Sequence, residues 1–116
     1  MIGFVLEREG EDAVYLSGDT VWYEGVAEVA ERFRVGTAVL FMGAARVEAV
    51  GDWPLTFTAD EAIEAARAFT RATIVPLHFE GWAHFSESRA QVERAFAAAG
   101  LARRLTWPPP GSPIEI

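Results

Sequence analysis

Two short, almost wholly apolar runs constrain this chain more than anything else in it. Residues 37–42 (Thr-Ala-Val-Leu-Phe-Met) lie between Gly36 and Gly43, and residues 72–77 (Ala-Thr-Ile-Val-Pro-Leu) form the second run. Neither alternates polar with apolar residues, so both read as strands buried on two faces. Between them, Thr58-Ala59-Asp60-Glu61 has the form of a capping box, in which the Thr oxygen and the Glu side chain satisfy free amides at a helix start. That helix is predicted to run to about residue 70, with Ala62, Ala66 and Phe69 on one side. Strand, helix, strand in this order is a parallel crossover unit.

The flanking segments extend the pattern. Residues 4–8 and 13–17 read as strands joined by the polar turn Glu9-Gly10-Glu11-Asp12, which predicts a hairpin. Val26, Val29, Ala30 and Phe33 are spaced as the apolar stripe of a helix. Residues 46–50 form a candidate short strand. Ser86 or Ser88 opens a last helix carrying Val92, Phe96 and Ala99, closed by Gly100. Residues 101–107 and 113–116 are predicted as short edge strands, with Pro108-Pro109-Pro110 a stiff turn between them. The result is an α/β domain. Three helices cover one face of a sheet of roughly six or seven strands, but not two. One sheet face is therefore expected to receive another layer.

With 116 residues the chain is one domain, and its 51% hydrophobic and 23% charged residues exclude general disorder. A net charge of −7 argues against nucleic acid or an anionic membrane as partner, since both need a positive field. The absence of cysteine excludes disulfides and thiolate metal sites. No apolar run approaches the ~20 residues of a membrane span. The first residues lack the basic start and cleavage site of a secretion signal, so a cytoplasmic protein is expected.

In open α/β sheets, ligands bind beyond the carboxyl ends of the strands. Three such ends carry Gly18-Asp19-Thr20, Gly43-Ala44 and Pro76-Leu77-His78. If these strands are parallel neighbours, Asp19 and His78 share a rim, where a carboxylate and an imidazole can hold a divalent cation or act as acid and base. The plainer alternatives stand beside this: Asp19 and Thr20 as helix caps, His78 as a hydrogen-bonded turn residue. The segment His78-Phe79-Glu80-Gly81-Trp82-Ala83-His84-Phe85 is dense in polar and aromatic groups. Glu80 and His84 are spaced to stack on a helix, but Gly81 opposes one. Asp60, Glu61, Glu64 and Arg67 read as a solvated helix face. No dinucleotide, Walker, zinc-protease or nucleophile-elbow motif is present. A triad of Ser86, His84 and Asp19 can be written down, but nothing in the sequence supports it.

Tyr15-Leu16-Ser17-Gly18-Asp19-Thr20, then Thr56-Phe57-Thr58-Ala59-Asp60-Glu61-Ala62, then Ile74-Val75-Pro76-Leu77-His78-Phe79-Glu80-Gly81-Trp82 together resemble the C-terminal half of metallo-β-lactamase-fold hydrolases, on their lactonase-like branch. The resemblance covers nearly the whole chain, in order. It implies half of an αββα sandwich: one mixed sheet with helices on one face. It implies that Asp19 is a metal-bridging carboxylate, that His78 is a ligand of a second metal, and that Trp82 and His84 lie on the substrate side. The implied metal is zinc or manganese, which in such enzymes generates a hydroxide from bound water. The family's His-x-His-x-Asp-His motif belongs to the other half, and His78 and His84 are the only histidines here. The expectation is thus a fragment or partial hydrolase with an incomplete metal site. Its partner would be a missing N-terminal half, or a second copy in a homodimer with a large apolar interface; its substrate, if active, a small molecule. The alternative is a non-enzymatic homodimeric binding module.

Overall fold

The computed structural model describes residues 3–44, 56–77, 87–109 and 111–113. Strand β1 (Phe4–Leu6) pairs antiparallel with β2 (Ala13–Leu16), placing Phe4 opposite Leu16 and Leu6 opposite Val14. The predicted hairpin turn is present: the Glu11 N–H donates to the Arg8 carbonyl, and Gly10 takes the left-handed conformation (φ 80°) that glycine adopts without steric cost. Helix α1 (Glu24–Arg32), strand β3 (Val35–Phe41), helix α2 (Ala59–Ala68), strand β4 (Thr73–Leu77) and helix α3 (Arg89–Ala98) follow. The sheet order is β1-β2-β3-β4, with β2, β3 and β4 parallel.

The predicted capping box of Thr58 with Glu61 forms on α2, and α3 opens with a second one, Ser88 with Gln91. Ser88, not Ser86, is thus the cap of the last helix. The register of β2 against β3 slips between Ala13 and Val14, which pair with Val35 and Thr37. Gly36 lies at that slip. A Cβ there would sit 2.7 Å from the Cβ of Asp12, so the bulge needs a glycine.

One sheet face carries Tyr15, Ala38 and Ile74 in register, with Leu40 one step along. Their cluster includes Val26 of α1, Ala62, Ala65 and Ala66 of α2, and Val92 and Phe96 of α3. The alanines of α2 let its backbone approach the sheet closely. Leu40, Ile74, Val92 and Phe96 are fully buried, each worth about 1.5–3 kcal/mol by removal from water. All three described helices therefore bury their apolar sides against the same face. The other face presents Phe4, Leu16, Val39 and Val75 in register. Val39 and Val75, at its centre, are buried; exposure rises to 59% at Phe4 and 56% at Leu6 on the β1 edge.

The strand count differs from the sequence reading. Residues 101–107 form no strand. They hold a single turn of 3-10 helix, Ala102–Arg104, and one parallel bridge from Leu105 to Ile74. Arg104 commits this backbone to a turn: its guanidinium reaches back to the Ala66, Phe69 and Ala72 carbonyls at 2.8, 2.7 and 2.6 Å. The sheet has four strands among the described residues. The candidate strand at 46–50 and most of that at 113–116 lie outside them. No helix among the described residues is long and apolar enough to cross a membrane.

The carboxyl rim of the sheet as candidate functional site

The three parallel strands end on one edge. Leu16, the last residue of β2, stands in register with Val39, and Phe41 of β3 with Leu77, the last of β4. The ends of the three strands form a rim, as the parallel reading requires.

The first loop begins with Ser17, buried, whose hydroxyl accepts from the Phe41 N–H at 3.0 Å and donates to the Gly18 carbonyl at 2.9 Å. Gly18 turns the chain at φ 67°, and Asp19 follows with its Oδ1 buried from solvent. Thr20 donates its hydroxyl to the Val21 carbonyl. Neither Asp19 nor Thr20 caps a helix. The N-cap of α1 is Tyr23, which makes no side-chain cap bond. Asp19 thus lies in the loop between β2 and α1, four residues before that N-cap.

The middle loop is tied down by backbone and side chain alike. Met42 N–H donates to Leu77 O at 2.8 Å, Ala44 N–H to Phe57 O at 3.2 Å, and Thr56 Oγ1 to Met42 O at 3.0 Å. Gly43 and Ala44 both have positive φ, 95° and 47°, and Ala44 is buried. A non-glycine residue there is uncommon and strained, a feature concentrated at functional loops.

Strand β4 ends at Leu77. His78, Glu80, Trp82, His84 and Ser86 lie outside the described residues. Beyond them, the Glu87 N–H donates to Gly43 O at 3.0 Å and the Glu87 carboxylate accepts from the Ala59 N–H at 2.7 Å.

Glu61 departs from the solvated face on which the sequence placed it. It is half-buried, and it accepts from the Thr58 N–H through Oε1 at 3.1 Å and from the Trp22 N–H through Oε2 at 3.0 Å. Its neighbours Asp60, Glu64 and Arg67 are exposed as expected. The contacts of Glu61 with Trp22 and of Glu87 with Ala59 span 39 and 28 residues, and no local pattern reveals them.

Burial, and secondarily the neighbouring Tyr23 hydroxyl, raises the Tyr15 phenol to about 12, so it is neutral at physiological pH and not a base. Asp19 is a suitable hard ligand, but one carboxylate does not hold a divalent cation. The described residues contain no group of three or more His, Cys, Asp or Glu side chains that could. By themselves they do not fit a bound metal.

No protein-family model matches the chain. It is 24% identical over 109 residues to the UPF0173 protein YddR of Bacillus subtilis, covering 94% of this chain and 42% of that protein. The isothiocyanate hydrolase from Delia radicum gut bacteria superposes with a TM-score of 0.87 at 25% identity, over 98% of this chain and 43% of that one. A possible metal-dependent hydrolase from Veillonella parvula gives 0.85 at 23% identity, over 95% and 42%. A metallo hydrolase from the archaeon Ignicoccus hospitalis gives 0.70 at 22%, over 95% and 43%. The class of protein is thereby defined: an α/β chain with the fold of the C-terminal half of a metallo-β-lactamase-type metallo-hydrolase. It spans less than half the length of the proteins it matches.

Proposed function

We propose that this chain is the rim-bearing half of a metal-dependent hydrolase, and that it contributes Asp19 and His78 as two metal ligands while the other donors come from a second half. The observation that carries the reading is the superposition of nearly the whole chain on under half of a known hydrolase, at a TM-score of 0.87. The position of Asp19 agrees with it: beyond the carboxyl end of a parallel strand, with one oxygen shielded from water. Asp19 follows β2, and His78 immediately follows β4 in sequence. One strand separates β2 from β4, so the ends of these two strands lie ~9–10 Å apart, a spacing compatible with two ligands of one metal centre. Trp82 and His84 belong to the same segment and are assigned to the substrate side. The second half packs on the apolar sheet face that the described helices leave aside, whether it is an N-terminal half or a second copy. The metal is zinc or manganese and the substrate a small molecule.

The test is metal analysis of the purified chain with Asp19→Ala and His78→Ala, run beside sedimentation to determine oligomeric state. Weak zinc or manganese binding that both substitutions abolish is expected. Binding of either metal that is indifferent to both would sink the ligand assignment.

A further inference from the structure

We infer that Glu61 is a positioning residue of this rim: its carboxylate fixes the loop that carries Asp19. The inference rests on the reading of the rim as ligand-bearing, and it begins from a comparison inside the molecule. Helices α2 and α3 open with the same capping box. In α3 the third helical residue is Gln91, whose single carbonyl oxygen accepts from the Ser88 N–H at 2.6 Å, while its own N–H returns to the Ser88 hydroxyl at 3.3 Å. One oxygen suffices for a capping box, and glutamine serves there as well as glutamate. In α2 the same position is Glu61. Its Oε1 does the work of Gln91 on Thr58, which leaves Oε2 free of the cap, and that oxygen accepts the Trp22 N–H at 3.0 Å.

Trp22 stands three residues beyond Asp19. The loop between them receives no side-chain cap from α1, and Thr20 is committed to the adjacent Val21 carbonyl. The Trp22 side chain packs against the core beneath the helices, and the Glu61 carboxylate adds the hydrogen bond that ties the backbone of this loop to α2. A second carboxylate converges on the same turn: Glu87 accepts from the Ala59 N–H. The partial positive charge at the start of α2 favours both. One helical turn thus anchors both the loop carrying Asp19 and Glu87.

Glu61→Gln isolates the effect. Gln keeps an oxygen for Thr58 but turns an amide donor toward the Trp22 N–H, so the cap survives and the tether is lost. Amide hydrogen exchange on the full chain is expected to show about tenfold faster exchange at Trp22, with Thr58 and the β3 amides unchanged. Glu61→Ala should accelerate Trp22 and the first turn of α2 together. Wild-type protection of Trp22 in Glu61→Gln overturns the inference. So does acceleration spread over the first turn of α2 in that variant, because it would mark Glu61 as a cap and nothing more. The underlying reading fails separately: zinc binding equal in wild type and Asp19→Ala removes the ligand-bearing rim, and with it the role assigned to Glu61, whatever the exchange result.

Discussion

Ser17 continues the ladder between β2 and β3 with its side chain, accepting the Phe41 N–H at 3.0 Å where the backbone of β2 has already turned away. The same hydroxyl donates to the Gly18 carbonyl, so one buried group satisfies a strand amide and holds the turn before Asp19. Ser17→Ala removes the acceptor of the Phe41 N–H at a buried position. The expected cost is about 1–3 kcal/mol, the usual penalty for stranding a buried polar group. Urea denaturation would measure it, and a change below about 0.5 kcal/mol would show that the hydroxyl is dispensable.

Arg104 is a half-buried cation held by three carbonyls, those of Ala66 and Phe69 at the end of α2 and Ala72 just before β4. Partial burial lowers its pKa, but a guanidinium stays charged throughout the accessible pH range. The negative end of α2 favours that charge, and the planar fork spans acceptors on two elements. Arg104→Met should cost about 3 kcal/mol, and Arg104→Lys should recover less than half of it because a point charge cannot reach all three oxygens. Equal stability of the Lys variant and the wild type in the same denaturation assay would contradict this geometry.

Tyr15 gives the chain a defined alkaline limit. Its phenol ionises near 10 when unfolded and at about 12 when folded, since burial disfavours the phenolate. Below pH 10 both states keep the proton and stability is unaffected by it. Between pH 10 and 12 the unfolded state binds fewer protons, so stability falls as pH rises, by about 2–3 kcal/mol in all. Tyr15→Phe should flatten that slope. Absorbance titration should find a tyrosine that ionises only near 12; if all tyrosines of the folded chain titrate near 10, the assigned burial is wrong.

Ala44 sits at φ 47° beside Gly43 and is buried. Ala44→Gly relieves the left-handed strain but adds freedom to the unfolded chain, so the net gain should be small, at most about 1 kcal/mol. Ala44→Val adds a β-branched side chain to a conformation that disfavours it and should cost about 2 kcal/mol or more. Thermal unfolding of the two variants separates them; a Val variant as stable as the wild type would mean that the loop does not hold this conformation.

The sequence by itself determined the elements whose causes are local. Capping boxes at Thr58 and Ser88, the glycine turn at Gly10 and the apolar runs of β3 and β4 depend on near neighbours, and each appeared where its residues stand. The parallel order of β2, β3 and β4 follows from the helical patterns between them in the sequence, and that order puts Asp19 at the carboxyl rim. The tertiary structure decided what depends on residues far apart in the chain. Residues 101–107 hold a 3-10 turn and a single bridge to β4 in place of a strand, with Arg104 reaching carbonyls of α2, and no local pattern reports that. Glu61 looked like one of several charges on a wet helix face, because the amide it accepts belongs to a loop 39 residues earlier. Local sequence sets φ, ψ and caps, whereas the partners of a second carboxylate oxygen are set by which elements the core brings together.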